Sequence, residues 1–334
     1  MRIGVFTAPV EVNCGTVLQA YALRKIFEKL NNDVTIIYPN LEWLKRQHEH
    51  FNYINKDFID NYVRPLRIEN YDDLKEDMFD FLIVGAERVW MKGYLLMDIT
   101  QGYFNFAKDW NTPRISYACS FGTNIWNYNI KDTEICKELI KKFKAVSVRE
   151  KCGIDLCKNI LNVDSLHVLD PAFLLSKEEW LSIIDYNNVD KHNDEEFLFA
   201  YVFNKNKNNI DKINKIAEDN NIKKENIIIS SYGLNVNQWL FNILNAKIVV
   251  TDSYHGSVFR TIFGGKMIVF KNDLNGIGRF DTIGDTLAAT DNVLSTLEEY
   301  DENKSYEINN ITYEKINEMK KISMNYIYNN IKGE

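Results

Sequence analysis

The chain has 334 residues, 45% hydrophobic and 26% charged, the make-up of a soluble globular protein long enough for two domains. At that size a core can be buried without disulfides or metals. The net charge of −7 argues against a general nucleic-acid binder, whose footprint is basic, and leaves room for a local cationic pocket.

The first residues reach Pro9 after only a few apolar positions, too few for the core of a signal peptide. No window approaches 18 apolar residues, so no membrane-spanning helix is expected. These features predict a cytoplasmic protein and leave open a peripheral contact at the inner face of the membrane. The five cysteines are odd in number and lack any Cys-Xaa-Xaa-Cys pair, which fits reduced thiols better than a disulfide framework or a zinc site. No His-Xaa-Xaa-Xaa-His or Asp-Xaa-Asp cluster occurs, so no metal is expected.

In chain order, short β-branched runs alternate with helical patterns. Strands are expected at 3–6, 34–37, 81–84, 115–117, 146–148 and 167–169, and again at 197–201, 227–229, 248–250 and 267–269. Leu23, Ile26, Phe27 and Leu30 form one apolar helix face after the first strand. This alternation predicts an α/β protein with parallel sheets. The polar stretch 185–196, after a short helix at 177–184, marks the boundary between two doubly wound domains, 1–184 and 185–310. A terminal helix within 311–334 is expected to pack back on the first domain.

The motifs sit where strands give way to helices. Asn13 and Gly15 join the first strand to the first helix, where a cap and a closely approaching backbone can receive an anion. This segment is not a Gly-Xaa-Gly-Xaa-Xaa-Gly fingerprint, so a nicotinamide enzyme has no support. In Gly85-Ala-Glu-Arg-Val-Trp90, Glu87 and Arg88 follow a glycine turn. Trp90 could stack on a sugar, although core packing is the commoner fate of such a residue. Ser120 and Cys119 end the strand at 115–117, and nothing nearby in sequence activates the thiol. Arginine is the scarce cation, ten among 40 basic residues, yet Arg88, Arg149 and Arg260 lie at or just beyond strand ends and Arg279 lies in the loop Gly276-Ile-Gly-Arg-Phe280. Arginine suits bidentate capture of phosphate or carboxylate, and structural ion pairing is the competing explanation for each.

The most informative stretch is Ile248-Val-Val-Thr-Asp-Ser-Tyr-His-Gly-Ser-Val-Phe259. An apolar strand ends in Thr251 and Asp252, a polar turn carries His255 and Gly256, and a helix is expected from Ser257. Open α/β sheets place ligands at such carboxyl ends. His255 is therefore the candidate acid–base group, with Asp252 orienting its imidazole.

Together these segments resemble the polysaccharide pyruvyl transferase family. The matching residues run in order from Asn13-Cys-Gly and Leu18-Gln-Ala-Tyr-Ala-Leu23 through Ser120-Phe-Gly122, Ser147-Val-Arg-Glu150 and Leu169-Asp-Pro171 to Thr251-Asp-Ser-Tyr-His-Gly256. The resemblance implies two Rossmann-like domains facing a cleft, as in GT-B glycosyltransferases. It implies phosphoenolpyruvate as co-substrate with no further cofactor, a glycan or lipid-linked sugar as acceptor, and a pyruvate ketal with phosphate as products. Carried over by motif, Arg149, His255 and Arg279 would form the donor site, with Asn13, Gly15, Ser253 and Gly256 around it. Glu87, Arg88, Trp90 and Ser120 would face the acceptor or the cleft. The family's usual Gly-Ser-Asp-Gln-Xaa-Trp is here Gly85-Ala-Glu-Arg-Val-Trp90, the aromatic of its first motif is Cys14, and Arg260 replaces a residue that is usually small. Two other readings share the fold: a GT-B glycosyltransferase using a nucleotide sugar, and a non-catalytic glycan-binding member of the family.

Overall fold

The structure, a computed structural model, describes residues 1–9, 11, 13–39, 42, 44–46, 49, 53–94, 97–192, 195–271, 284 and 290–331. The chain divides into two compact units, Met1–Leu174 with Glu318–Glu334, and Leu175–Asn317.

The first unit holds a parallel sheet of β1 (Arg2–Phe6), β2 (Asp33–Tyr38), β3 (Leu66–Arg67), β4 (Phe81–Gly85) and β5 (Arg114–Tyr117), in the order β3-β2-β1-β4-β5. β4 is buried at every position and β1 at all but its first, which explains why these strands read as continuous apolar runs rather than alternating ones. Helix α1 (Cys14–Lys29) follows β1, and thirteen of its sixteen residues are buried. Asn13 starts it by accepting the N–H of Thr16 at 3.2 Å. Beyond β5, α2 (Ile130–Ile140) leads to the short parallel pair β6 (Ser147–Val148) and β7 (Leu166–His167), with α3 (Lys151–Leu156) between them. The Ser116 and Ser147 hydroxyls stitch β5 to β6. Ser116 Oγ accepts the Ser147 N–H at 2.8 Å, and Ser147 Oγ accepts the Ala118 N–H at 3.1 Å.

In the second unit, β8 (Leu198–Tyr201), β9 (Ile227–Ser230), β10 (Ile248–Thr251), β11 (Lys266–Phe270) and β12 (Val293–Leu294) form a parallel sheet in the order β12-β11-β10-β8-β9. The helices α4 (Lys177–Leu181), α5 (Lys207–Asp219), α6 (Val236–Asn245) and α7 (Tyr254–Phe263) belong to this unit. Sequence drew the domain break after residue 184, whereas α4 groups with the second unit. Its Trp180 meets Phe259 at 4.8 Å between ring centroids, and Lys177 Nζ donates to the Phe263 carbonyl at 2.7 Å. The terminal helix α8 (Asn310–Ile331) contributes its later turns to the first unit. There the Tyr326 hydroxyl donates to the Ser116 carbonyl at 2.8 Å, and Ser323 Oγ accepts the Leu169 N–H at 2.9 Å.

Both sheets are doubly wound, and each reverses direction at one point. In the first unit that switch lies between β1 and β4, and in the second between β8 and β10. Such a point opens a crevice beyond the carboxyl ends of the two strands. Glu87, Arg149, Asp252 and His255, picked out from sequence, follow strand ends of these sheets or of the short β6–β7 pair.

Candidate functional site

In the first unit, Gly85 ends β4 against β5. A Cβ there would stand 2.0 Å from the Tyr117 carbonyl oxygen, so only glycine fits. The chain then turns Glu87 inward. Its backbone N–H donates to Gln19 Oε1 at 2.9 Å, and its carboxylate accepts Thr16 Oγ1 at 3.3 Å and Arg88 Nε at 3.0 Å. Gln19 in turn donates to Asp170. Arg149 lies between two carboxylates, with Nη1 on Asp170 at 3.1 Å and Nε on Glu150 at 3.0 Å. Glu150 also accepts the Ser120 hydroxyl at 2.8 Å.

The side chains of Arg149 and Asp170 are fully buried, and those of Glu87 and Glu150 are nearly so. Ions this deep persist only when paired and hydrogen-bonded. Glu87 pairs with Arg88, and Arg149, expected at the donor site, pairs with Glu150 and Asp170.

Three acceptor candidates are likewise engaged within the unit. Trp90 is wholly buried, stacked on Tyr103 at 4.9 Å, with its indole N–H on the Gly102 carbonyl at 2.8 Å. Ser120 is buried and bonded to Glu150, and Glu87 belongs to the inner network. Arg88 alone of that set keeps some exposure, with its guanidinium 3.7 Å from the centre of the Tyr94 ring. Asn13 uses its side chain as the α1 cap, and Gly15 is buried in the first turn. Cys119 donates to the Val84 carbonyl, and burial raises its thiol well above the ordinary range, so it is an inert core group. Burial likewise pushes Cys14 up to about 12, against an opposing hydrogen bond with Asn55.

The second unit is built differently. Thr251 ends β10 by donating to the Tyr201 carbonyl at 2.6 Å and accepting the Ser253 N–H at 3.0 Å. Ser253 caps α7, its hydroxyl accepting the N–H of Gly256 at 3.3 Å. The cap starts the helix three residues earlier than the sequence pattern suggested. His255 therefore lies in the first helical turn, 6% exposed, with its ring 5.3 Å from that of Tyr254. A Cβ on Gly256 would stand 2.6 Å from Thr251 Oγ1, so this glycine lets the helix begin tight against the strand end. Asp252 accepts the backbone N–H of Phe203 at 2.8 Å and of Asn204 at 2.9 Å. It thereby ties the loop after β8 to the loop after β10, across the switch point.

Arg260, another strand-associated arginine, turns out to serve the fold. Its guanidinium donates to the carbonyls of Ile243 at 2.7 Å, Ala246 at 3.0 Å and Lys266 at 3.2 Å, closing the end of α6. Burial pushes it down to about 10, so it stays charged at neutral pH. Arg279 and its glycine loop lie outside the described residues, as do His48 and His50.

The sequence profile of the family described as polysaccharide pyruvyl transferase matches residues 13–273. The chain belongs to the polysaccharide pyruvyl transferase family. The match begins at the cap of α1, after β1, and ends beyond β11. No curated protein matches the chain. Among solved structures, it is similar to an uncharacterised protein of Klebsiella pneumoniae at 15% identity, covering 88% of this chain and 93% of that one, with a TM-score of 0.50. It is also similar to the UDP-GlcNAc 2-epimerase of Methanocaldococcus jannaschii at 13% identity, covering 98% and 100%, with a TM-score of 0.53. Likeness at this identity establishes the fold, the GT-B-like α/β class expected from the sequence, and nothing of the chemistry.

Within this family member, Gln19, Glu150 and Asp170 were not singled out as site residues from sequence, although they fall inside the matching motifs. Phe203 and Tyr232 were passed over entirely; each stands two residues beyond a strand end. Among the described residues, no group of three or more His, Cys, Asp or Glu side chains is placed to hold a metal ion. No described helix is long and apolar enough to cross a membrane.

Proposed function

We propose that this protein transfers pyruvate from phosphoenolpyruvate to a pair of hydroxyls on a glycan or lipid-linked sugar in polysaccharide biosynthesis, at the inner face of the membrane. The observation that carries this reading is His255 in the first turn of α7, at the switch point of the second sheet, inside the family's Thr251-Asp-Ser-Tyr-His-Gly256 segment.

The donor carries a phosphate and a carboxylate, and a helix N-terminus favours both. Arg279 supplies a cation for these anions. His255 delivers a proton to the methylene carbon of the donor, leaving positive charge at C2. One acceptor hydroxyl adds at C2 and loses its proton. The bond from C2 to the phosphate oxygen breaks, phosphate departs, and the second hydroxyl closes the ketal. Of the two hydroxyl protons, one balances that placed on the methyl group and the other leaves with phosphate. Asp252 acts as a positioning residue that fixes the loop beside His255, and Arg149 fixes the carboxylates of the first unit.

The test is turnover with phosphoenolpyruvate and a panel of glycosides, read as phosphate release and as a product heavier by pyruvate less one water. Wild type should give both signals, and His255→Ala should retain its fold and lose them. Consumption of a UDP-sugar with no phosphate release from phosphoenolpyruvate would replace this reading with glycosyl transfer.

A further inference from the structure

Three adjacent strands of the second sheet, β9, β8 and β10, end in register, Ser230 opposite Tyr201 and Tyr201 opposite Thr251. Two residues beyond the first two ends stand Tyr232 and Phe203, and four beyond the third stands His255. Phe203 is half-buried, and its ring meets that of Tyr201 at 5.4 Å and that of Tyr232 at 5.1 Å, both edge-to-face. Tyr232 is 49% exposed, unusually open for a tyrosine at a sheet end. The turn behind it runs through Gly233 at a φ of +88°, with no heavy atom within 4 Å of where a Cβ would lie. The backbone that carries Phe203 is tied to the His255 segment: Asp252, three residues before His255, accepts the N–H of Phe203.

We propose that Phe203 and Tyr232 form a stacking platform for the pyranose ring of the acceptor, set beside His255 by Asp252. The inference rests on the proposed function. The two substrates of that reaction make opposite demands. Phosphoenolpyruvate is a small anion that wants cations and amides, and it has no face to lay on an aromatic ring. A pyranose has an apolar C–H face and a polar hydroxyl rim. Rigid aromatic faces beside a few polar groups are the usual means of holding such a ligand. Phe203 follows β8 at the switch point that His255 also adjoins, and Tyr232 follows the neighbouring β9, so a sugar stacked there would lie on the side of the sheet end that carries the proposed proton donor.

The experiment is saturation-transfer NMR on the full chain with the methyl glycosides of galactose, glucose, mannose and N-acetylmannosamine, alongside phosphoenolpyruvate thermal shifts. Wild type should transfer saturation to the ring protons of at least one glycoside. Phe203→Ala and Tyr232→Ala should cut that signal roughly threefold to tenfold, while Tyr232→Phe retains it, because the ring rather than the hydroxyl does the stacking. The phosphoenolpyruvate shift should not change in any of the three variants. Because Tyr232 is half exposed, its variants should fold, and circular dichroism checks this. Equal glycoside signals in Tyr232→Ala and wild type, or no signal from any glycoside, would overturn the platform. A uridine monophosphate signal lost in Tyr232→Ala, with glycosides silent, would assign the rings to a nucleobase and overturn it as well. A glycoside signal lost in the variants with no phosphoenolpyruvate shift in wild type would uphold the platform and remove the donor.

Discussion

The two units carry sheets of one kind, yet they finish their switch points in opposite ways. The first closes its crevice with its own charges: Arg149 between Glu150 and Asp170, Glu87 with Thr16 and Arg88, and Gln19 as the link. The second uses a hydroxyl cap, a carboxylate on backbone N–H groups and a histidine in a helical turn, and it leaves Tyr232 half exposed. An arginine at a strand end is therefore no sufficient sign of an anion site. What decides is the charge of its neighbours, which Coulomb attraction at short range makes dominant.

The contrast can be broken most forcefully at Arg149. Arg149→Met leaves Glu150 and Asp170 buried without their guanidinium, and should cost about 3–5 kcal/mol of stability in urea unfolding. Wild-type stability combined with a lost phosphoenolpyruvate shift would instead move the donor to the first unit. At the other switch point, His255→Ala should lower kcat by about 10²–10⁴-fold. Because His255 is 6% exposed, some stability should be lost too, so the turnover loss is read at a temperature where circular dichroism shows the variant folded. Full turnover in that variant would take the histidine out of the reaction.

Smaller effects sharpen the same comparison. Arg260→Met strips donors from the end of α6 and should cost about 2–3 kcal/mol in unfolding, with no change in KM for phosphoenolpyruvate. A raised KM at unchanged stability would make Arg260 a ligand residue. Asn13→Ala removes the α1 cap and should cost about 1 kcal/mol. A loss of donor affinity well beyond that stability change would return Asn13 to the binding site.

Much of the fold was legible because it is local. Each of the ten expected strands overlaps an observed one, and central ones such as Phe81–Gly85 and Ile248–Thr251 are buried throughout and read as apolar runs. The two that were missed, Leu66–Arg67 and Val293–Leu294, are two-residue edge strands; the equally short Ser147–Val148 and Leu166–His167 were found because each adjoins further apolar residues. The start of α7 was placed late because its first turn reads as a polar loop until Ser253 is recognised as the cap. The site was less legible. Arg149 is neutralised by Asp170, 21 positions on, and Asp170 is bonded to Gln19, 151 positions back, so spacing along the chain could not announce the network. Trp90 packs in the core, the commoner fate of such a residue, and the rings proposed to stack on a sugar, Phe203 and Tyr232, carry no motif.

The most direct test of the central claim is a thermal-shift titration of the wild-type protein with phosphoenolpyruvate, set against UDP and UDP-GlcNAc. A specific ligand should raise the midpoint steadily with the logarithm of its concentration above Kd. The account predicts that rise with phosphoenolpyruvate, its loss in Arg279→Ala, its retention in His255→Ala, and a flat response to both nucleotides. A rise with UDP and none with phosphoenolpyruvate would contradict it.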